Sequence, residues 1–227
     1  MTDSTAISQY CERVDPGFWA EPVNAGTNAA FLVAALLAAR RLRGLPALAV
    51  WELWLLVALL AAIGVGSFLW HTLATPWAQA ADVLPIMAFT ALFLASYLAR
   101  GTDLPWAGVA VLWLAFEAVN FGLPAVLPAD LLNGSVFYLP TWAALGLLAV
   151  DARRAGSSAA APLALALGLF TVSLVLRTVD PELCGVFPLG THFGWHLLNG
   201  AVLFFALEGL RVAVALPGPE PRGTFDT

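Results

Sequence analysis

The chain has 227 residues, 60% of them hydrophobic and only 11% charged, and carries a formal net charge of -5. So few charges exclude a soluble globular domain, where they make up about a quarter of the residues, and the acidic sum, with no basic cluster beside an aromatic platform, excludes nucleic acid as a partner. What remains is an integral, multi-pass membrane protein whose partners are the lipid bilayer and a molecule dissolved in it.

The polar residues 1–23 contain Asp3, Glu12, Asp15 and Glu21 and no apolar h-region, so no cleavable signal peptide is expected. A bilayer core takes roughly 20 apolar residues per helix. On that measure the chain predicts an all-α, seven-transmembrane-helix bundle within residues 24–214. Its spans fall at Asn24–Ala39, Leu48–Trp70, Ala81–Leu98, Trp106–Phe121, Ser135–Val150, Pro162–Leu176 and Phe193–Leu210. Pro/Gly or polar breaks separate them, for example Gly44–Pro46, Gly101–Pro105 and Val179–Gly190. Residues 215–227, rich in proline and glycine, read as a disordered cytoplasmic tail.

Orientation follows from arginine, since lysine is absent. Arg40, Arg41, Arg43, Arg100, Arg153, Arg154, Arg211 and Arg222 fall on one side of the predicted bundle, and only Arg13 and Arg177 on the other. The positive-inside rule then predicts the N-terminus outside and the C-terminus in the cytoplasm. Ser67 and His71 close the second span, Asp82 opens the third, and His192 and His196 open the seventh, so all five share a layer near the outer face. Cys11 and Cys184 fall in the same compartment, where disulfides persist, and are predicted to be bonded.

A catalytic zinc takes three protein ligands and keeps a fourth position open, three histidines being one such set. His71, His192 and His196 are the only histidines in the chain. A bare HxxxH is a weak signal; the weight lies in the trio sharing a layer with Asp82 and Ser67, because ionisable groups in spans cost about 3 kcal/mol and are usually functional. Water on such a metal ionises near pH 7. Asp82 follows His71 across a short turn and is the candidate to orient that water, accept its proton and pass it to a leaving group. Ser67, one helical turn before His71, is the candidate donor to the oxyanion formed at an attacked carbonyl.

Glu12 and Glu21, with Asp15 and Asn24, form an oxygen-rich cluster before the first span. Calcium needs about six to eight oxygen ligands, and the cluster reads equally as a calcium site or as a solvated acidic segment. Glu117 and Asn120 read equally as contacts to the site or as an interhelical hydrogen bond. Arg177 and Asp180 read as a local ion pair, and Glu52, Asp151, Glu208 and Arg211 as interfacial residues. Trp70 and Trp195 flank the histidines as candidates to line a lipid access path.

YCE at Tyr10–Glu12, AEPVNAGTN at Ala20–Asn28, GSFLWH at Gly66–His71, Asp82 with Pro85, RTVD..LC at Arg177–Cys184 and H..WH.LN at His192–Asn199 together resemble the alkaline ceramidase family. That family sits in a superfamily of seven-helix intramembrane zinc hydrolases that also includes the adiponectin receptors. The resemblance spans nearly the whole chain and implies hydrolysis of ceramide to a sphingoid base and a fatty acid. It also implies zinc on His71, His192 and His196, Asp82 engaging the zinc-bound water, Ser67 at the carbonyl, calcium on Glu12 and Glu21, and a Cys11–Cys184 disulfide. The N-terminal segment departs from the family pattern at Gln9, where an acidic residue is expected, and at Val14, where an asparagine is; Asp15 is the substitute ligand it offers. Nothing in the sequence reads out a sphingoid headgroup. Two further readings therefore stay open: a related zinc hydrolase of another acyl lipid, amide or ester, and a receptor-like seven-helix zinc protein, which the arginine bias disfavours. The Ala/Leu/Arg-rich, lysine-free composition suggests a GC-rich genome and hence a bacterial inner membrane.

Overall fold

The computed structural model describes residues 7–214, and among the described residues every regular element is a helix. Seven helical stretches are long and apolar enough to cross a membrane. The first combines α1 (Pro22–Thr27) and α2 (Ala29–Leu42); the others are built on α3 (Trp51–Leu73), α4 (Pro76–Arg100), α5 (Trp106–Val126), α6 (Leu139–Arg154), α7 (Ala160–Leu183) and α8 (His192–Ala213). The tail read as disordered lies outside the described residues.

The crossings match the expected seven in number and order, but most helices outrun their expected bounds. Proline does not stop them: Pro76 starts α4, where a missing N–H costs nothing, and α7 continues through Pro181 to Leu183. The first crossing is notched at Asn28 because polar side chains compete for its carbonyls: Thr27 Oγ1 donates to the Val23 and Asn24 oxygens, and Asn28 Nδ2 to the Asn24 oxygen. The fifth crossing differs most. Its continuous helix begins at Leu139 instead of Ser135, because Leu132, Asn133 and Gly134 all take positive φ.

Lipid gives helices little hydrophobic reason to associate, so small residues and hydrogen bonds carry the packing. Ala34, Ala35 and Ala38 form the buried seam of α2, and Gly194, Gly200 and Gly209 are buried along α8. Helix α8 is the most enclosed, with 56% of its most apolar stretch buried against 6% for α5, so α8 forms the axis of the bundle and α5 its lipid-facing flank.

Two features bring the polar layer together. Helices α3 and α4 are joined by only two residues: Ala74 is left-handed at φ 47° with its N–H donating to the Trp70 oxygen, and the Thr75 hydroxyl caps α4 at Ala78 N–H. About two turns further in, a Cβ on Gly66 would collide with the Ala81 carbonyl, so the bare glycine lets the backbones touch and sets Ser67, His71 and Asp82 side by side. The Cys11–Cys184 disulfide is present and straps the N-terminal segment to the end of α7.

Candidate metal centre

Asp180 holds α8 in place, which corrects the expectation of an Arg177–Asp180 ion pair. Fully buried in α7, its Oδ1 accepts from the N–H groups of Thr191 at 2.5 Å and His192 at 2.9 Å, and its Oδ2 from Cys11 N–H at 3.1 Å. The carboxylate thus caps a helix N-terminus from a neighbouring helix, where negative charge is favoured. Gly190, at φ +67°, permits the approach, since a Cβ there would collide with Asp180 Oδ1. Arg177 is engaged elsewhere. Its guanidinium donates to the Asn133 oxygen at 2.6 Å and to Ser135 Oγ at 3.1 Å, and lies over the rings of Tyr138 and Trp195. It therefore stabilises the left-handed turn that opens the fifth crossing.

His192 and His196, one turn apart on α8, face His71 at the end of α3. The ring centroids are 5.2, 4.7 and 4.7 Å apart, and one nitrogen of each ring lies within 4.8 Å of the other two. One ring nitrogen of each histidine, His71 Nε2, His192 Nδ1 and His196 Nε2, is buried and without a hydrogen-bond partner. The remaining partners fix the tautomers. His71 Nδ1 lies 2.6 Å from Glu21 Oε2, so it carries the proton and leaves Nε2 a bare lone pair. Thr27 Oγ1 already donates to backbone carbonyls, so at 3.0 Å it accepts from His196 Nδ1, with the same result at Nε2. A buried group of lone pairs is costly unless a cation joins them, and an all-imidazole donor set suits zinc. The residues fit that metal.

Around this trio the other groups take defined places. Ser67 is buried, and Asp82 is half-buried at the start of α4, across the short turn from His71. Tyr10 stacks on His192 with centroids 3.5 Å apart, and burial pushes its phenol well above the ordinary value, so it stays protonated. Burial would also raise the Glu21 carboxyl, but His71, Asn24 and Arg13 outweigh it and hold the group below its usual range. Near the trio lies an apolar cavity lined by Phe31, Ile63, Phe89, Tyr138, Trp195 and Asn199 among others. Trp195 lines it; Trp70 is a core residue and does not.

The three carboxylates expected to hold calcium are not gathered into a cage. Both Glu12 oxygens accept backbone N–H groups, from Val23 at 2.7 Å and Asn24 at 2.8 Å; Asp15 accepts from Gly17 N–H at 2.6 Å; Glu21 is shared between Arg13 and His71. Glu117 stays on the lipid-facing α5, with one buried oxygen unpartnered. Glu52, read as interfacial, is buried and paired with Arg100. Sequence reasoning gave no role to Thr27 or Tyr10, although both sit in the quoted motifs, and counted Arg13 only as a topological charge.

The ceramidase family model matches residues 2–216, nearly the whole chain. No curated protein matches significantly.

Proposed function

The chain belongs to the ceramidase family, and we propose that it is a zinc-dependent intramembrane amidase that cleaves ceramide to a sphingoid base and a free fatty acid. The observation that carries this reading is the set of three buried histidines, each offering one ring nitrogen within 4.8 Å of the other two, with an apolar cavity lined by their α8 neighbours Trp195 and Asn199. His71, His192 and His196 would hold the zinc, which when bound supplies Lewis acidity and a water acidified to near pH 7.

The chain's own groups account for the rest. Asp82 accepts a proton from the attacking water and delivers it to the amide nitrogen. A carbon–oxygen bond forms at the carbonyl carbon, the carbon–nitrogen bond breaks, and the amine leaves neutral. Ser67 donates its hydroxyl to the carbonyl oxygen as charge develops there. The cavity takes up the acyl chain and keeps bulk water from the reacting amide. Glu21 and Thr27 hold two of the imidazoles in the tautomer that binds metal.

The arginine bias supports a cytoplasmic C-terminus and an external N-terminus. The disulfide at the histidine end supports the same orientation, since such bonds persist outside the reducing cytosol. The lysine-free composition supports a bacterial inner membrane.

The test is turnover by purified protein of ceramide against acyl-ester lipids of equal chain length, with zinc measured in the same samples. Ceramide hydrolysis that disappears together with zinc in His196→Ala is the expected result. Turnover of esters alone, or unchanged zinc in that variant, overturns the reading.

A further inference from the structure

We infer that Arg13 takes the place of calcium in this chain: its guanidinium is the built-in cation that positions Glu21, and through it His71, at the metal centre. The inference rests on the reading of the three histidines as a zinc site.

Arg13 is buried, and each of its side-chain nitrogens meets oxygen. Nε donates to Glu21 Oε1 at 2.5 Å, Nη2 to the His71 backbone oxygen at 2.8 Å, and Nη1 to the oxygens of Asp15 and Gly17, each at 3.4 Å. One carboxylate and three backbone carbonyls therefore surround a single positive charge. That is the kind of oxygen environment a hard cation seeks, here filled by a side chain that stays charged at any working pH.

The other carboxylates could not complete a calcium site without giving up existing work. Glu12 uses both oxygens to cap the first turn of α1, at Val23 and Asn24 N–H. Asp15 is exposed and folds back on Gly17. Calcium entering beside Glu21 would face the guanidinium across a few ångströms of low dielectric, and like charges repel strongly there.

Arg13 also holds His71 at two points: its backbone oxygen directly, and its ring through Glu21. Glu21 Oε2 receives both His71 Nδ1, at 2.6 Å, and Asn24 Nδ2, at 3.0 Å, so the carboxylate is pinned from both sides. Removing the guanidinium frees Glu21 Oε1 and loosens the ring that presents Nε2 to the site. Because the cation is covalent to the chain, the centre needs no second metal and does not respond to one.

The experiment uses full-length protein in detergent, in buffer stripped of divalent ions. Calcium chloride is titrated by calorimetry into the zinc-loaded wild type, and zinc affinity is measured by chelator competition with and without calcium. The inference expects no calcium heat and an unchanged zinc affinity in the wild type. It expects a loss of zinc affinity of about 10- to 100-fold in Arg13→Ala, largely restored in Arg13→Lys, with cobalt substituted for zinc showing an altered visible spectrum in the alanine variant alone. Calcium binding by the wild type, or a zinc affinity in Arg13→Ala equal to wild type, overturns it. Should Arg13→Ala fail to fold, the lysine variant and the wild-type titration still decide. A wild type that binds no zinc sinks the hydrolase reading instead, and the calcium titration then judges Arg13 separately.

Discussion

The two ends of the bundle spend their charges differently. At the histidine end Glu21 and Asp180 are buried, and each serves one element of the centre: Glu21 a ring nitrogen, Asp180 the N-terminus of α8. At the opposite end, where the arginines gather, Glu52 pairs with Arg100 and Glu208 with Arg211, and the cations remain 32% and 24% exposed. One set of charges fixes the geometry of a site; the other closes helix ends. Metal affinity and turnover should therefore respond at one end only, whereas stability responds at both.

The largest effect should come from the residue that moves protons. Asp82→Asn keeps the shape of the side chain and removes the base, so turnover should fall by about 10²- to 10⁴-fold while zinc content and melting temperature hold. Ceramide hydrolysis and metal analysis on the same preparation measure this. Zinc lost along with activity would make Asp82 part of the ligand set.

Next is Asp180→Ala, which strands three N–H donors, the buried ones of Cys11 and His192 and the part-buried one of Thr191. Each abandoned donor costs about 1–3 kcal/mol, so the variant should melt well below wild type in detergent and bind zinc more weakly, because the first turn of α8 carries His192. Wild-type stability would show that the disulfide alone holds this corner.

Why adjacency pairs Asp180 with Arg177, while the convergence of His71, His192 and His196 is legible in the sequence, comes down to reach. The histidines announce themselves because three imidazoles in an apolar chain are rare and a seven-span topology sends all three to one end. Asp82 is legible for the same reason. Asp180 sits three residues after Arg177, and adjacency favours a pair; its actual partners lie on Cys11 and on the first turn of α8, visible only once the chain is folded. Arg13 was hidden in the same way, since nothing local says that its guanidinium reaches the His71 carbonyl. The helices were legible from apolar length, but the start of α6 was not, because three consecutive positive-φ residues, two of them not glycine, depend on Arg177 to hold them.

A smaller effect is expected at Glu21→Gln. The amide still accepts from His71 but no longer strengthens the imidazole as a ligand, and zinc affinity should drop by about 10- to 100-fold. Chelator competition measures the change. An unchanged affinity would reduce Glu21 to a structural partner of Arg13.

The smallest effect belongs to the arginine end. Glu208→Gln removes a partly exposed pair between residues three apart on α8, at 2.7 Å. Such pairs are worth up to about 1 kcal/mol, and Arg211 keeps its favourable place at the C-terminal end of the helix without the carboxylate. Melting temperature should barely move, and zinc affinity and turnover should match wild type. The comparison is informative because α8 runs from one end to the other, carrying His192 and His196 in its first turns and Glu208 in its last. Were Glu208→Gln to weaken zinc binding, α8 would be transmitting strain along its whole length, and the separation of a site-forming end from a closing end would fail.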